Sequence, residues 1–215
     1  MATNSILNNT LSNTAQRYLG VNFNRVGNSI ERVSFGTRIN KASDDIAGLA
    51  ISEALRSDIR ALRQGARNLN DGVSLLNVVE GGLNEQAGAV IRIKELATQG
   101  ASGTIGTFER QTLQLEVSTL VAEIDRIAAT TEFNGKTLLD GTLSKSVQVS
   151  RQLSIQIGIN GQDASRINLN TELDQAASNS SKLGLRNLSI TSQEGALSAI
   201  TQSDEALNAL NDSRG

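Results

Sequence analysis

The residues best suited to chemistry are two adjacent aspartates, Asp44 and Asp45. Paired carboxylates can bind a divalent cation or exchange protons, but no third type of ligand lies near them in the sequence. The chain also has no His and no Cys, so the usual general base and the thiolate ligands are missing. Carboxylates favour the first turn of a helix, where the backbone dipole is positive. We therefore interpret the two aspartates as the start of a helix with Ser43 as its N-cap.

The composition argues against an enzyme, a nucleic-acid-binding protein and a membrane protein. The glycines between Gly100 and Gly106 follow neither of the phosphate-binding spacings, and we predict no cofactor and no metal. Lys and Arg number 20 against 22 Asp and Glu, and no apolar run reaches the ~18 residues of a membrane helix, so we predict neither nucleic-acid binding nor membrane insertion. Only 2% of residues are aromatic, which suits aliphatic packing between helices better than a ligand pocket.

The longest element predicted is a helix over residues 44–99. An apolar stripe with a 3.5-residue repeat runs along it, and such a stripe requires a partner helix. Without a proline to end it, the helix could extend for roughly 80 Å. The alternative is two ordinary helices that break at Gly81-Gly82, and periodicity does not decide between them. The predicted packing residues here are Leu55, Ile59, Leu62, Leu69, Val73 and Leu76.

Two further helices show the same repeat, and a period of two follows them. A polar helix over residues 5–33 carries Leu19, Phe23, Val26 and Ile30, and a helix over residues 107–129 carries Leu113, Val117, Leu120, Ile124 and Ile127. Alternating apolar residues then predict a β-hairpin region over 147–170. Residues 171–190 are polar and predict a return loop. Thr191 and Glu194 form a possible capping box for a last helix over 192–215, in which Ile200, Leu207 and Leu210 share a face.

Several segments together resemble the bacterial flagellins. They are residues 30–40 (IERVSFGTRIN), 42–51 (ASDDIAGLAI), 68–72 (NLNDG), 80–85 (EGGLNE), 94–99 (KELATQ) and 132–141 (EFNGKTLLDG). The resemblance is specific because the matches occur in family order over most of the chain. In flagellins the long helix runs through the double glycine, so the resemblance implies one continuous helix here.

The resemblance implies a mainly α fold: a long antiparallel, coiled-coil-like helical rod with a small β-hairpin region, preceded by an amphipathic N-terminal helix. It divides the chain into a filament inner-core helix and connector, 1–42, and a rod domain, 43–215. The implied function is that of a structural subunit of the flagellar filament, which polymerises with copies of itself and supports motility. The implied location is outside the cell, after export through the flagellar type III export apparatus.

The resemblance also implies a second partner, the Toll-like receptor for flagellin. The family's receptor-contacting positions correspond to Arg92, Leu96 and Glu116 of this sequence. Position alone favours a solvated charge at Arg92 and a packing role for Leu96.

The main departure from the family is that flagellins continue beyond the position of Gly215 into a C-terminal amphipathic helix. We expect either a fragment or truncated form, or a helix supplied by another chain. Three family traits depend on that helix and are not carried over: polymerisation alone, binding of the export chaperone and full receptor signalling. The nearest alternative function is a hook-filament junction protein. An enzyme is the alternative from another class, and no insert exists to house a catalytic site.

Overall fold

The computed structural model describes residues 9–214, and most of them are helical. Helix α1 spans Thr10–Phe35, α2 spans Ile46–Gly100 and α3 spans Thr107–Thr130. Two small antiparallel strand pairs follow: β1 (Glu132–Phe133) with β2 (Lys136–Thr137), and β3 (Ser154–Gln156) with β4 (Arg166–Asn168). The short helix α4 (Leu169–Leu173) and the helix α5 (Gln193–Asp212) complete the order. The predicted mainly helical fold class is confirmed.

Helix α2 is continuous through Gly81 and Gly82, so the alternative of two broken helices is wrong. Of the helix predicted over 5–33, residues 5–8 lie outside the described residues, and α1 ends at Phe35 with Gly36 in the left-handed conformation. The helix predicted over 192–215 is described as far as Asp212, and Gly215 lies outside the described part.

The chain divides into two compact units, one up to Arg60 and one from Ala61. In the first unit, charged side chains hold the connector that leads from α1 to α2. Arg32 Nη2 donates to Asp44 Oδ1 at 3.2 Å, and Lys41 Nζ donates to Glu31 Oε2 at 2.8 Å. The backbone N–H of Asn40, and to a smaller extent Arg32, lowers the pKa of Asp44 below its ordinary value.

The start of α2 differs from the prediction because Asp45, and not Ser43, provides the cap. Asp45 Oδ1 accepts a hydrogen bond from the N–H of Gly48 at 2.9 Å, which satisfies one unpaired donor of the first turn. Asp44 is unavailable for this role, since its carboxylate binds the connector backbone and Arg32.

In the second unit, α2 packs between two antiparallel neighbours. Gln86 and Arg92 of α2 contact the later and earlier turns of α3 respectively. Lys94 pairs with Asp204 of α5, and Gly100 lies beside Ala196 at the start of α5. Their shared core consists of aliphatic side chains, as the composition requires.

Helix α5 begins one residue later than the predicted capping box places it. Ser192 caps the helix through the N–H of Gly195, so the Thr191–Glu194 capping box is wrong. The buried face of α5 is lined mainly by small residues, and of the three predicted residues Leu210 is buried while Ile200 and Leu207 are partly buried. The small residues allow α5 to approach α2 closely. They are Ala196, Ala199, Ser203 and Ala206.

The segment between α4 and α5 is irregular, but it is not the exposed polar loop that the sequence suggests. Leu185 and Ile190 are fully buried, and Leu183 and Leu188 are nearly so. Gln114 of α3 holds this segment by hydrogen bonds to the O of Leu188 and the N–H of Ile190. The segment therefore forms part of the core.

Candidate interaction surfaces

Helix α1 exposes its apolar face. No residue of α1 is buried in the described chain, and Phe23 is 73% exposed. The predicted packing residues Leu19, Val26 and Ile30 are also more than half exposed. An amphipathic helix gains most of its stability from burying such a face, so this face has the character of a contact surface for another helix.

The first half of α2 exposes its apolar stripe as well. Leu55, Ile59, Leu62, Leu69 and Val73 are 43–56% exposed, whereas Leu76 packs against the core. One flank of the stripe is covered within the second unit, where Gly65 contacts the backbone of Ile157 and Gly72 contacts the side chain of Ile155. Asn68 adds a hydrogen bond to the O of Gln156 at 2.9 Å. The apolar side chains of the stripe are left partly exposed, and its other flank is not covered by the described chain.

Helix α3 differs because its predicted packing residues lie in the chain's own core. Val117 and Ile124 are fully buried, Ile127 is nearly so, and Leu113 and Leu120 are partly buried against the cluster. The predicted packing residues therefore divide into two groups: those of α3 hold the subunit together, and most of those of α1 and α2 face outward.

The structure brings two of the three predicted receptor residues together. Arg92 Nη2 and Nε donate to Glu116 Oε1 at 2.8 and 2.9 Å, across from α2 to α3. Both side chains are about half exposed, and Glu95 also accepts from Arg92 at 3.0 Å. The hydrogen bonds that Arg92 donates to Glu116, and then to Glu95, raise the pKa of Arg92 and keep it charged. Leu96 is only 1% exposed and therefore lies beneath this surface instead of on it.

Three buried or partly buried polar contacts were not predicted from the sequence. Gln86, fully buried, donates from Nε2 to the carbonyls of Ile124 and Ser178. Arg110 binds the carbonyls of Gly100 and Ser102 at the end of α2, and Asp125 accepts from the N–H and hydroxyl of Ser180. Their partners are distant or irregular in sequence, so periodicity carries no signal for them.

Within residues 9–214, no group of three or more His, Cys, Asp or Glu side chains is placed to hold a metal ion. No helix of the described part is long and apolar enough to cross a membrane.

Comparison with known proteins gives consistent matches. The family model for the bacterial flagellin N-terminal helical region matches residues 6–144. The flagellar filament 30.7 kDa core protein of Treponema maltophilum is 38% identical over 212 residues, which cover 97% of this chain and 74% of that protein. Flagellin FlaB1 of Treponema pallidum is 39% identical over 219 residues, with the same coverage. A flagellin of Halalkalibacterium halodurans is 38% identical over 210 residues, covering 97% of this chain and 73% of that protein.

A solved structure shares the fold. The crystal structure of Bacillus cereus flagellin superposes with a TM-score of 0.54 and 28% identity, covering 69% of this chain and 78% of that chain. The family model covers well over half of the chain, and relatives more than 30% identical match nearly all of it. The chain belongs to the flagellin family, whose members are structural subunits of the flagellar filament and polymerise with copies of themselves.

Proposed function

We propose that the exposed apolar stripes of α1 and α2 are the surfaces through which copies of this chain assemble into the filament, after export through the flagellar type III apparatus to the cell exterior. The observation that carries this proposal is the exposure of regularly spaced apolar residues on two long helices whose opposite faces are polar or packed. Contacts between unlike surfaces generate a helical polymer when they do not close into a ring. The alternative, a hook-filament junction protein, has less support, because the relatives named above are filament proteins or flagellins.

The Ile59→Asp variant is expected to abolish assembly without altering the fold of the subunit. Ile59 is 48% exposed, so a carboxylate there meets water in the monomer but would be buried without a partner in the polymer. The Ser57→Asp variant is the matched control, since Ser57 is exposed on the same helix outside the stripe. Sedimentation velocity and electron microscopy would measure assembly, and circular dichroism would measure the helical content.

The same measurements on the unaltered chain test the proposal itself. They would be made with the chain alone and with a peptide that covers a flagellin C-terminal helix. Filaments in either case would support assembly through these stripes, provided that Ile59→Asp prevents it. A chain that stays monomeric in both cases, or a variant that assembles as well as the unaltered chain, would contradict the proposal.

We further infer that the Arg92–Glu116 surface contacts the Toll-like receptor for flagellin. The family resemblance points to these positions, and their half-exposed arrangement leaves both charges accessible. Arginine is well suited to such contacts because its planar, charged group donates several hydrogen bonds. Leu96 would contribute by supporting α2 from below and not by touching the receptor.

The Arg92→Ala variant is expected to weaken receptor binding by roughly tenfold or more, as for a central charged contact, while its helicity and unfolding midpoint stay unchanged. Arg126→Ala is the control, because Arg126 forms a similar exposed ion pair with Glu123 elsewhere on α3. Surface plasmon resonance with the receptor ectodomain would measure the affinities. Equal affinities for Arg92→Ala and the unaltered chain would contradict the assignment.

A further inference from the structure

The exposed stripe of α2 has one flank that is covered and one that is open. Counting from the stripe residue Leu62, the next residue, Arg63, lies on one side of the helix, and Gly65 lies on the other. The Gly65 flank is occupied by the backbone of Ile157. Arg63 is exposed and forms no hydrogen bond or ion pair within the described chain. A helix that packs on this stripe must therefore meet the Arg63 flank.

Helix α3 presents a second exposed apolar stripe, on the side away from its buried face. Phe108 is 76% exposed and Leu115 is 69% exposed, one heptad apart. Thr112 lies between these two residues on the same face of the helix, and Thr119 lies one turn beyond Leu115. Their hydroxyls donate to the carbonyls of Phe108 and Leu115 in the same helix, so each threonine can offer its methyl group to a partner.

The flank of this α3 stripe carries three glutamates, and two of them, Glu116 and Glu123, already pair with arginines of the same chain. Arg92 binds only Oε1 of Glu116, so Oε2 of that carboxylate is open to a second cation. Glu116 follows Leu115 just as Arg63 follows Leu62, and Glu109 and Glu123 repeat that position one heptad away on either side. On both helices, this flank is the side that carries the residue following a stripe residue. When the two helices pack antiparallel, these flanks face each other, whereas parallel packing places them on opposite sides of the contact. Charged residues on such flanks set the orientation and partner of packed helices. The two stripes are therefore complementary in charge only when they run antiparallel.

We propose that the α2 stripe of one copy packs antiparallel on the α3 stripe of a second copy, with Arg63 opposite Glu116. This inference rests on the proposed assembly function and specifies its partner surfaces. The same register places a large side chain against a small one in three successive layers, as well-packed helices require, and it places Val73 against Phe108 in the fourth. The layers pair Leu62 with Thr119, Ala66 with Leu115, Leu69 with Thr112, and Val73 with Phe108.

The alternative register, shifted by one heptad, covers less of the α2 stripe. It places Phe108 opposite Ala66 and pairs Arg63 with Glu109, but α3 begins at Thr107, so the exposed Leu69 and Val73 then have no α3 residue opposite them. Four layers form a small contact compared with the roughly 1,200–2,000 Å² of a stable protein interface, so an isolated pair of copies would associate weakly. In a polymer each copy makes several such contacts at once, so the assembly is more stable than a single pair of copies.

Site-directed cross-linking tests this arrangement directly, because the chain contains no native cysteine. Arg63→Cys and Glu116→Cys proteins would be mixed under assembly conditions with a mild oxidant. We expect a disulfide-linked dimer of the two variants. Arg63→Cys mixed with Ser118→Cys is the matched control, since Ser118 is exposed on the opposite flank of the same α3 stripe. Equal or stronger cross-linking to position 118, to Glu109→Cys or to Glu205→Cys on the acidic helix α5 would overturn the proposal.

Charge reversal gives an independent measurement. Arg63→Glu is expected to raise the concentration needed for assembly by roughly threefold to tenfold, and adding Glu116→Arg in the same chain should restore it. Arg186→Glu, an exposed change of the same charge on the irregular segment before α5, should leave assembly unchanged. If Arg63→Glu assembles like the unaltered chain, or the double variant is no better than Arg63→Glu, this pairing is wrong while the assembly function stands. An unaltered chain that never assembles would contradict both.

Discussion

Replacing Gly65 with alanine is expected to destabilise the second unit by detaching the β3–β4 hairpin from α2. A Cβ at this position would overlap the backbone carbonyl of Ile157, and a backbone cannot move aside as the end of a side chain can. Overpacking of this kind costs about 1–3 kcal/mol, and we expect the upper end. Urea unfolding followed by circular dichroism would measure the change in the free energy of unfolding.

Gly88→Ala is the matched control for this prediction. Gly88 also lies inside α2, but nothing lies within 4 Å of a Cβ placed there. Both variants gain about 1 kcal/mol of helix propensity, so this contribution cancels when they are compared. The Gly65 variant should therefore unfold about 3 kcal/mol more easily than the Gly88 variant. Equal stabilities would show that the hairpin does not pack on α2 as described.

Gly65 also illustrates what could be predicted from the sequence. Periodicity identified the long helices and the apolar stripe of α2, because both depend on local spacing. It did not identify the face on which α2 packs against β3, since that face is formed by Gly65 and Gly72 and a search for apolar side chains passes over glycine. In the first half of α2, the apolar stripe that spacing predicts is mainly exposed, whereas the face that packs inside the subunit carries glycines.

The burial of the irregular segment before α5 cannot be predicted from its sequence for a related reason. Leu183, Leu185, Leu188 and Ile190 follow neither a helical nor a strand period, so their polar neighbours dominate the pattern. They are buried because Gln114 and Asp125 of α3 hold the segment in place through its backbone. Such contacts join residues about 55 to 76 positions apart and cannot be read from local sequence.

The candidate site also combines features that the sequence predicts with contacts that only the fold creates. The sequence assigns Arg92 and Glu116 only through family resemblance, and the structure shows that they are bonded to each other: the antiparallel packing of α2 and α3 places Nη2 of Arg92 2.8 Å from Oε1 of Glu116. Likewise, Asp45 caps α2 because Arg32 and the connector engage the neighbouring Asp44. In both cases a partner from another element decides the role of the side chain.

Truncation of Leu96 to alanine is expected to destabilise the subunit by about 2–5 kcal/mol, as for other buried leucines. Leu96 is 1% exposed and belongs to the core shared by α2, α3 and α5, so the change leaves a cavity beneath the Arg92–Glu116 surface. Ile91→Ala is the control, because Ile91 is 49% exposed on the same helix and its truncation should change stability by no more than about 0.5 kcal/mol. Urea unfolding would measure both variants.

Comparing Leu96→Ala with Arg92→Ala separates a buried supporting role of Leu96 from a direct role in receptor binding. If Leu96 supports the surface from below, its truncation lowers the unfolding midpoint, and any loss of receptor affinity grows with temperature as the cavity loosens the packing of α2 against α3. Arg92→Ala should instead lose affinity at every temperature with no change in the midpoint. A Leu96→Ala protein that keeps full stability but loses affinity would mean that Leu96 contacts the receptor itself, and its burial in the isolated subunit would have to open on binding.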